Sequence, residues 1–363
     1  MKTQYTIAQI CFYFFWFVVT IGKSFNLSSS NFVMRLCTII GLAFLILKLF
    51  CTKWEIKELV NCAFLGLIGM VSFFICKREG AFLTILAIIG LKDIQLKDLL
   101  KKTYYIKSIL FFGLILLSFL GIRENTVFED VRIGENVTKY GFGIGHPNLV
   151  HATLFIIICL SMYCNFAKFK IRNYFFWMMA NLFLYQFTKS RTGFLVIVFT
   201  LTISFTLKNK IIYKILKVPI IVFPIILPFV CLDMGYLYSD SAMIQKVSDL
   251  LQGRIMWINY CFENIKINLF GTNWGSEVII LDCGYAMILF RYGIVLFLLF
   301  VLANFFMIRK FYIEKMLPEL VILLGFLVYA VTEEFTANIF LNFSLVFVSK
   351  LIFIKSKKGS FYG

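Results

Sequence analysis

The sequence is short of charge, of proline and of histidine. Asp, Glu, Lys and Arg make up 15% of its 363 residues, against 61% hydrophobic. Soluble domains carry about 25% charge, so a water-facing surface around the whole chain is excluded. Only five prolines interrupt it, which leaves long stretches free to run as helix. There are two histidines, His146 and His151, and ten cysteines, none paired as Cys-x-x-Cys. Cys11, Cys37, Cys51, Cys62, Cys76 and Cys159 lie in apolar runs and read as small apolar fillers, not as a zinc site or a disulfide framework. Cys231, Cys261 and Cys283 fall near one large loop, where a single disulfide stays open but has no support in the sequence. Also missing are a Walker-type lysine loop, a His-Glu-x-x-His pair and an Asp-x-Asp pair, and Gly141-x-Gly143-x-Gly145 is not the dinucleotide pattern. No metal and no cofactor are therefore expected, and an activated group has to arrive with the substrate.

What is present in quantity is apolar sequence. Mean hydropathy is +0.88 and there are 44 phenylalanines. Apolar runs of about 15 to 22 residues recur along the chain, the pattern of an all-α, polytopic membrane protein. About twelve spans are expected, near 5–22, 34–51, 59–76, 80–92, 104–122, 149–165, 173–187, 193–207, 217–237, 285–308, 317–332 and 339–354. The fourth is short enough for a re-entrant or tilted segment. The first lacks a small-residue cleavage site and reads as a retained span. Three regions follow: N-terminal spans over 1–122, a loop-rich region over 123–345, and a last helix end with a basic tail over 346–363.

The formal charge of +17 does not point to nucleic acid, because Lys and Arg in short loops set membrane orientation. Roughly twenty-one cations fall on one side of the spans and about thirteen on the other. Both termini are thereby expected in the cytoplasm, leaving loops 123–146, 188–192, 238–284 and 333–338 outside. The inside cations are mostly lysine and the outside set is rich in arginine, whose planar fork suits phosphate.

The outside loops hold the residues that can do chemistry. In Gly141-Phe-Gly-Ile-Gly-His-Pro-Asn148, Pro147 predicts a helix start with Gly145 or His146 at the cap. That helix end, with its free N–H groups and positive dipole, suits an anion. His146 can orient or deprotonate a hydroxyl, with Asn148 beside it. His151 lies some 140° further round the helix, by about 100° per residue, and is the weaker candidate. Arg132 lies close to the glycine run, whereas Arg123 and Lys139 read as solvated loop charge. In Thr188-Lys-Ser-Arg-Thr-Gly193, Ser190 caps a helix and puts Arg191 in its first turn. A cation is unfavourable there unless an anion is bound. Leu251-Gln-Gly-Arg254-Ile-Met-Trp257 reads as part of an amphipathic surface helix, with Arg254 turned inward to a phosphate or outward to headgroups. Asp282 precedes the tenth span, and Arg291 lies within it, with Asp282 or Glu334 as its structural partners. Glu333 and Glu334 end the eleventh span; one of them is a base or an arginine partner, and the sequence leaves open which.

Taken together, Gly-Phe-Gly-x-Gly-His146-Pro-Asn148, Thr-x-Ser-Arg191-Thr-Gly193, Gly253-Arg254 with Trp257, Leu-Phe-Gly271 and Asp282-x-x-Tyr285 resemble the Wzy-type polysaccharide polymerases. These belong with the O-antigen ligases to one superfamily of multi-span bacterial enzymes. The resemblance covers roughly residues 120 to 345. It implies a GT-C-like helical architecture in the cytoplasmic membrane with the active site facing outside. It also implies polymerisation of undecaprenyl-pyrophosphate-linked oligosaccharide units by glycosyl transfer, inverting and without a metal. Arg191 and Arg254 would bind the pyrophosphate, with Arg132 a third cation. His146, with Asn148 beside it, would act on the acceptor hydroxyl; beside what the resemblance implies, Asp282 and Glu334 are the residues expected to help hold substrate. A chain-length regulator and a flippase are the partners it implies. Cys283 stands where the pattern has a polar residue, which weakens the role of Asp282. The third outside loop has no histidine, which favours polymerase over ligase. A flippase for the same lipids would also need a cationic cavity, but internal repeats and midplane polar breaks are missing.

Overall fold

The structure, a computed structural model, describes residues 5–27, 31–132, 135–275, 279 and 281–353. The expected basic tail, with Lys355, Lys357 and Lys358, lies outside the described residues. Helices α1 (Ile7–Ser24), α2 (Phe32–Phe50), α3 (Ile56–Cys76), α4 (Gly80–Gly90) and α5 (Leu96–Phe119) come first. A hairpin of β1 (Val127–Arg132) and β2 (Glu135–Tyr140) leads to α6 (Pro147–Asn165), α7 (Ile171–Thr188) and α8 (Arg191–Thr206). Then come α9 (Lys210–Ile215), α10 (Lys217–Tyr236), α11 (Ala242–Leu250) and α12 (Arg254–Asn264). The chain continues with α13 (Gly284–Met287), α14 (Ile294–Ile313), α15 (Leu317–Tyr329) and α16 (Ser349–Ile352).

Among the described residues, seven helices are long and apolar enough to cross a membrane: α1, α2, α3, α5, α6, α10 and α14. Their outer faces keep large apolar side chains uncovered, among them Phe32, Phe50 and Ile56. Lipid covers such faces at no cost in exposed apolar area, and a helix bonds its interior backbone groups within itself. The chain has the build of a multi-pass membrane protein.

Of about twelve expected spans, seven helices have that length and apolarity among the described residues, and the other runs form shorter or less apolar elements. At 1.5 Å per residue α4 reaches only about 16 Å, against a hydrocarbon core of about 30 Å. Its Ala81, Leu83, Ala87 and Ile88 are buried by neighbouring helices instead. α8 and α15 are likewise short, with 16 and 13 residues, while α7 has the length, 18 residues, but not the apolarity. The expected last span is a run of 3-10 turns over Phe343–Val348 followed by the single turn of α16. An apolar run has the same pattern whether lipid or protein covers it, which is why these were read as spans.

Two further departures concern the loops. The first outside loop is not irregular: β1 and β2 pair antiparallel from Val127 opposite Tyr140 to Arg132 opposite Glu135. The expected tenth span is broken. A π turn over Ile288–Tyr292 ends at Gly293, and α14 begins only after it. There Leu269-Phe-Gly271 comes alongside, with Ile294 N–H donating to the Asn268 carbonyl (3.1 Å) and Val295 N–H to that of Leu269 (3.0 Å). A Cβ on Gly293 would stand 2.3 Å from the Gly271 nitrogen, so this crossing needs glycine.

The core centres on α6, which packs against α5, α7, α8 and α15. Phe155 of α6 meets the rings of Phe326 and Tyr329 on α15 edge-on, and both packed surfaces are apolar. The N-terminal helices join the same core. Phe15 and Trp16 pack on Phe340, and Thr84 of α4 donates to the Ala337 carbonyl (2.7 Å) while accepting from Ile339 N–H (3.0 Å).

Candidate functional site

His146, Arg254, Asp282 and Glu333, far apart in the chain, come near one another. The Gly141–Gly145 run folds into a tight turn, because a Cβ on Gly141 would lie 1.7 Å from the Gly145 carbonyl oxygen. This turn delivers His146 to the N-cap of α6 and Pro147 to its first turn, as expected. His146 Nδ1 accepts the Asn148 N–H at 3.2 Å. That bond uses the Nδ1 lone pair, so the neutral ring carries its proton on Nε2 and presents a donor. Partial burial lowers the imidazole pKa, with Lys139 and Arg254 acting the same way and Asp282 opposing. The side chain stays accessible, and its ring rests edge-on against Phe128. The geometry fits His146 to orient a hydroxyl rather than to take its proton.

Arg254 turns inward. Gln252 and Gly253 have positive φ, which ends α11 in a tight turn and starts α12 at Arg254. The guanidinium is 7% exposed, with Nε donating to Asp282 Oδ2 at 3.2 Å and Nη2 3.8 Å from Glu333 Oε1. Arg254 Nη1 and Glu333 Oε1 are buried without a hydrogen-bond partner. Burial pushes the Glu333 carboxyl up to about 8; Arg254 pulls against this, and Asp282 and Glu334 add to it. A proton-exchanging carboxyl thus adjoins a cation with a donor to spare, within the electrostatic reach of His146.

Of the other expected residues, Arg191 opens α8 as predicted, with Ser190 at the cap. Arg191 is exposed and makes no hydrogen bond or ion pair with Arg254, Asp282 or Glu333 among the described residues. Arg132 closes β1; its side chain lies outside the described residues. Glu334 makes no ion pair with Arg254 among the described residues and lines a cavity beside the start of α6, together with Arg291. Of the partners foreseen for Arg291, Asp282 is corrected, since it pairs with Arg254, whereas Glu334 lies within electrostatic reach of Arg291, which stacks on Trp274, 3.8 Å from the ring centroid. Arg123 and Lys139 are structural, the first donating to the Phe25 carbonyl (3.3 Å) and the second paired with Asp130. His151 is fully buried, its Nδ1 2.7 Å from Thr188 Oγ1, where it ties α6 to the end of α7.

Family models, curated proteins and solved structures were compared with the chain, and none matches. Function has to be read from the residues. The sequence reading left the choice between the two glutamates open, and Glu333 is the one at Arg254. It also passed over Lys77 and Arg78 between α3 and α4. Their signal was a pair of cations on the side that topology keeps poor in them.

Proposed function

We propose that this chain polymerises lipid-linked oligosaccharide units, transferring a glycan from a polyprenyl pyrophosphate to a sugar hydroxyl on a second carrier lipid. The observation that carries this reading is the half-satisfied Arg254–Asp282–Glu333 cluster at the α6 helix end. Arg254 Nη1 supplies a buried donor for a departing pyrophosphate oxygen, and low-dielectric surroundings strengthen that bond. The acceptor oxygen attacks the anomeric carbon while the bond from that carbon to the pyrophosphate oxygen breaks. The electron pair leaves with the pyrophosphate, and the hydroxyl proton passes to the Glu333 carboxylate. His146 Nε2–H holds the acceptor sugar, Asp282 keeps Arg254 oriented, and Arg191 offers a second cation to the phosphates.

Glycan analysis of a strain lacking the gene tests this. The strain is complemented with wild type, Arg254→Ala or Glu333→Gln, each checked for normal membrane abundance. Single repeat units on carrier or surface, restored to polymer by wild type alone, are the expected result. Single units trapped on the cytoplasmic side would make the chain a flippase. Long polymer left on its carrier would make it a ligase.

A further inference from the structure

Four buried polar side chains meet where α6, α7, α8 and α15 pack together: His151, Asn181, Ser190 and Tyr329, each 2% exposed or less. His151 Nε2, Asn181 Oδ1, Ser190 Oγ and the Tyr329 hydroxyl are all buried without a hydrogen-bond partner. Asn181 bears on the His151 ring from α7. His151 Cγ and the Tyr329 hydroxyl each lie 3.0 Å from the point where a Cβ on Gly193 would stand, so both face the first turn of α8. Ser190 precedes that turn, and its N–H donates to Thr188 Oγ1 (3.4 Å), the same atom that meets His151 Nδ1. The rings of Phe155 and Phe335 pack edge-on against Tyr329 and fix the direction of its hydroxyl.

The bonds already made decide what each atom takes. Thr188 Oγ1 donates its one proton to the Leu184 carbonyl (3.1 Å), so the imidazole donates at Nδ1 and its Nε2 is a bare acceptor. Asn181 spends Nδ2 on the Phe194 carbonyl (3.2 Å), which fixes the amide and leaves Oδ1 an acceptor. Ser190 is the N-cap of α8, yet its side chain makes no cap bond and is turned to the interior. Two acceptors and two hydroxyls call for a ligand that brings two donor protons. None of the four carries a charge to balance a buried ion, and the two acceptors repel an anion. A small neutral donor remains, and buried waters make about three hydrogen bonds to otherwise unpaired groups of this kind.

We propose that these four side chains hold a buried water molecule, which donates to His151 Nε2 and Asn181 Oδ1 and accepts from the Ser190 and Tyr329 hydroxyls. The water joins two elements that lead to the candidate site. Ser190 precedes Arg191, and Tyr329 stands four residues before Glu333, within electrostatic reach of Glu333 and Arg254. Ser190 and Tyr329 are thereby positioning residues, which hold the start of α8 and the end of α15 on one frame. That role rests on the glycosyl-transfer reading, whereas the binding of water does not.

The test is X-ray radiolytic footprinting of the full-length protein in nanodiscs, in isotope-labelled water, with oxygen uptake located by mass spectrometry. Radicals made from a bound water mark the side chains that touch it. Tyr285 is the control, being equally buried but with its hydroxyl bonded to the Leu327 carbonyl (2.6 Å). Tyr329 is expected to take up label about tenfold faster than Tyr285, as a side chain beside an internal water does. Ser190→Ala removes a hydroxyl that makes no cap bond, so α8 keeps its start, and a melting curve verifies that. This variant and Asn181→Leu are each expected to lower the uptake at Tyr329 about threefold, by removing one of the bonds that hold the water. Ser190→Thr, which keeps a hydroxyl there, restores the uptake and, with it, transfer. Uptake at Tyr329 no faster than at Tyr285 overturns the proposal, as does uptake that Ser190→Ala and Asn181→Leu both leave unchanged. Full transfer in a variant that has lost the label overturns the positioning role. A labelled Tyr329 in a chain whose deletion leaves polymer unchanged removes the transfer reading and keeps the water. An unlabelled one in a chain whose deletion abolishes polymer removes the water alone.

Discussion

Glu333 and Glu334 are neighbours with different surroundings, and the difference is chemical. Glu333 lies against Arg254, yet desolvation outweighs that attraction and its carboxyl titrates near 8. Its proton is held more tightly folded than unfolded, where the carboxyl titrates near 4.5. The stabilisation this gives is complete below the unfolded value and is lost as pH rises through about 8. Melting temperature should therefore fall between pH 5 and 9 in wild type, and Glu333→Gln should flatten that fall. Transfer activity should follow the opposite course, rising toward pH 8 as the base form appears, and be lost in Glu333→Gln at every pH. A wild-type rate that falls as pH rises through 8 would remove Glu333 as the base. The sequence could not choose between the two glutamates, because the choice depends on Arg254, 79 positions away in the chain. The His146 cap was legible because Pro147 and the glycines act within a few residues of it.

Among the elements, the break between α13 and α14 carries the most consequence. A continuous apolar run hid it, since neither the π turn nor the loop segment Leu269–Gly271 beside it leaves a periodic signal. Only Gly293 marked it. Its φ of 93° and ψ of 171° lie in a region open essentially to glycine, where other residues pay about 1–3 kcal/mol. Gly293→Ala adds a backbone clash with Gly271 to that cost. Expected outcomes are a lowered melting temperature in detergent and a shifted Trp274 emission, because Arg291 moves with the turn. A variant with wild-type melting and emission would show that the turn is not held by glycine. The β1–β2 hairpin was illegible for a different reason: its pairing is local, but its strands mix charged and apolar residues without strict alternation.

Across the whole molecule, the N-terminal helices bear on the site more than hydropathy suggested. Resemblance reached only from about residue 120, yet α1 to α4 supply most of the cations of the cavity that Arg291 and Glu334 line. They also supply Phe15, Trp16 and Thr84, which fix the stretch from Ala337 to Phe340. Run lengths in the sequence cannot report this, since an apolar face turned to α4 looks like one turned to lipid. The two regions on either side of residue 122 should consequently depend on each other. Expressed alone, 123–363 would leave Phe340 and the Ala337–Ile339 backbone without partners, and buried unpaired groups there destabilise the fold. It is expected to be degraded in the membrane, and to recover when 1–122 is made in the same cell. Immunoblots of membrane fractions read both states directly. Equal amounts of 123–363 with and without the N-terminal piece would mean that the halves fold independently, and that the cavity between them is a contact of convenience, not part of one site.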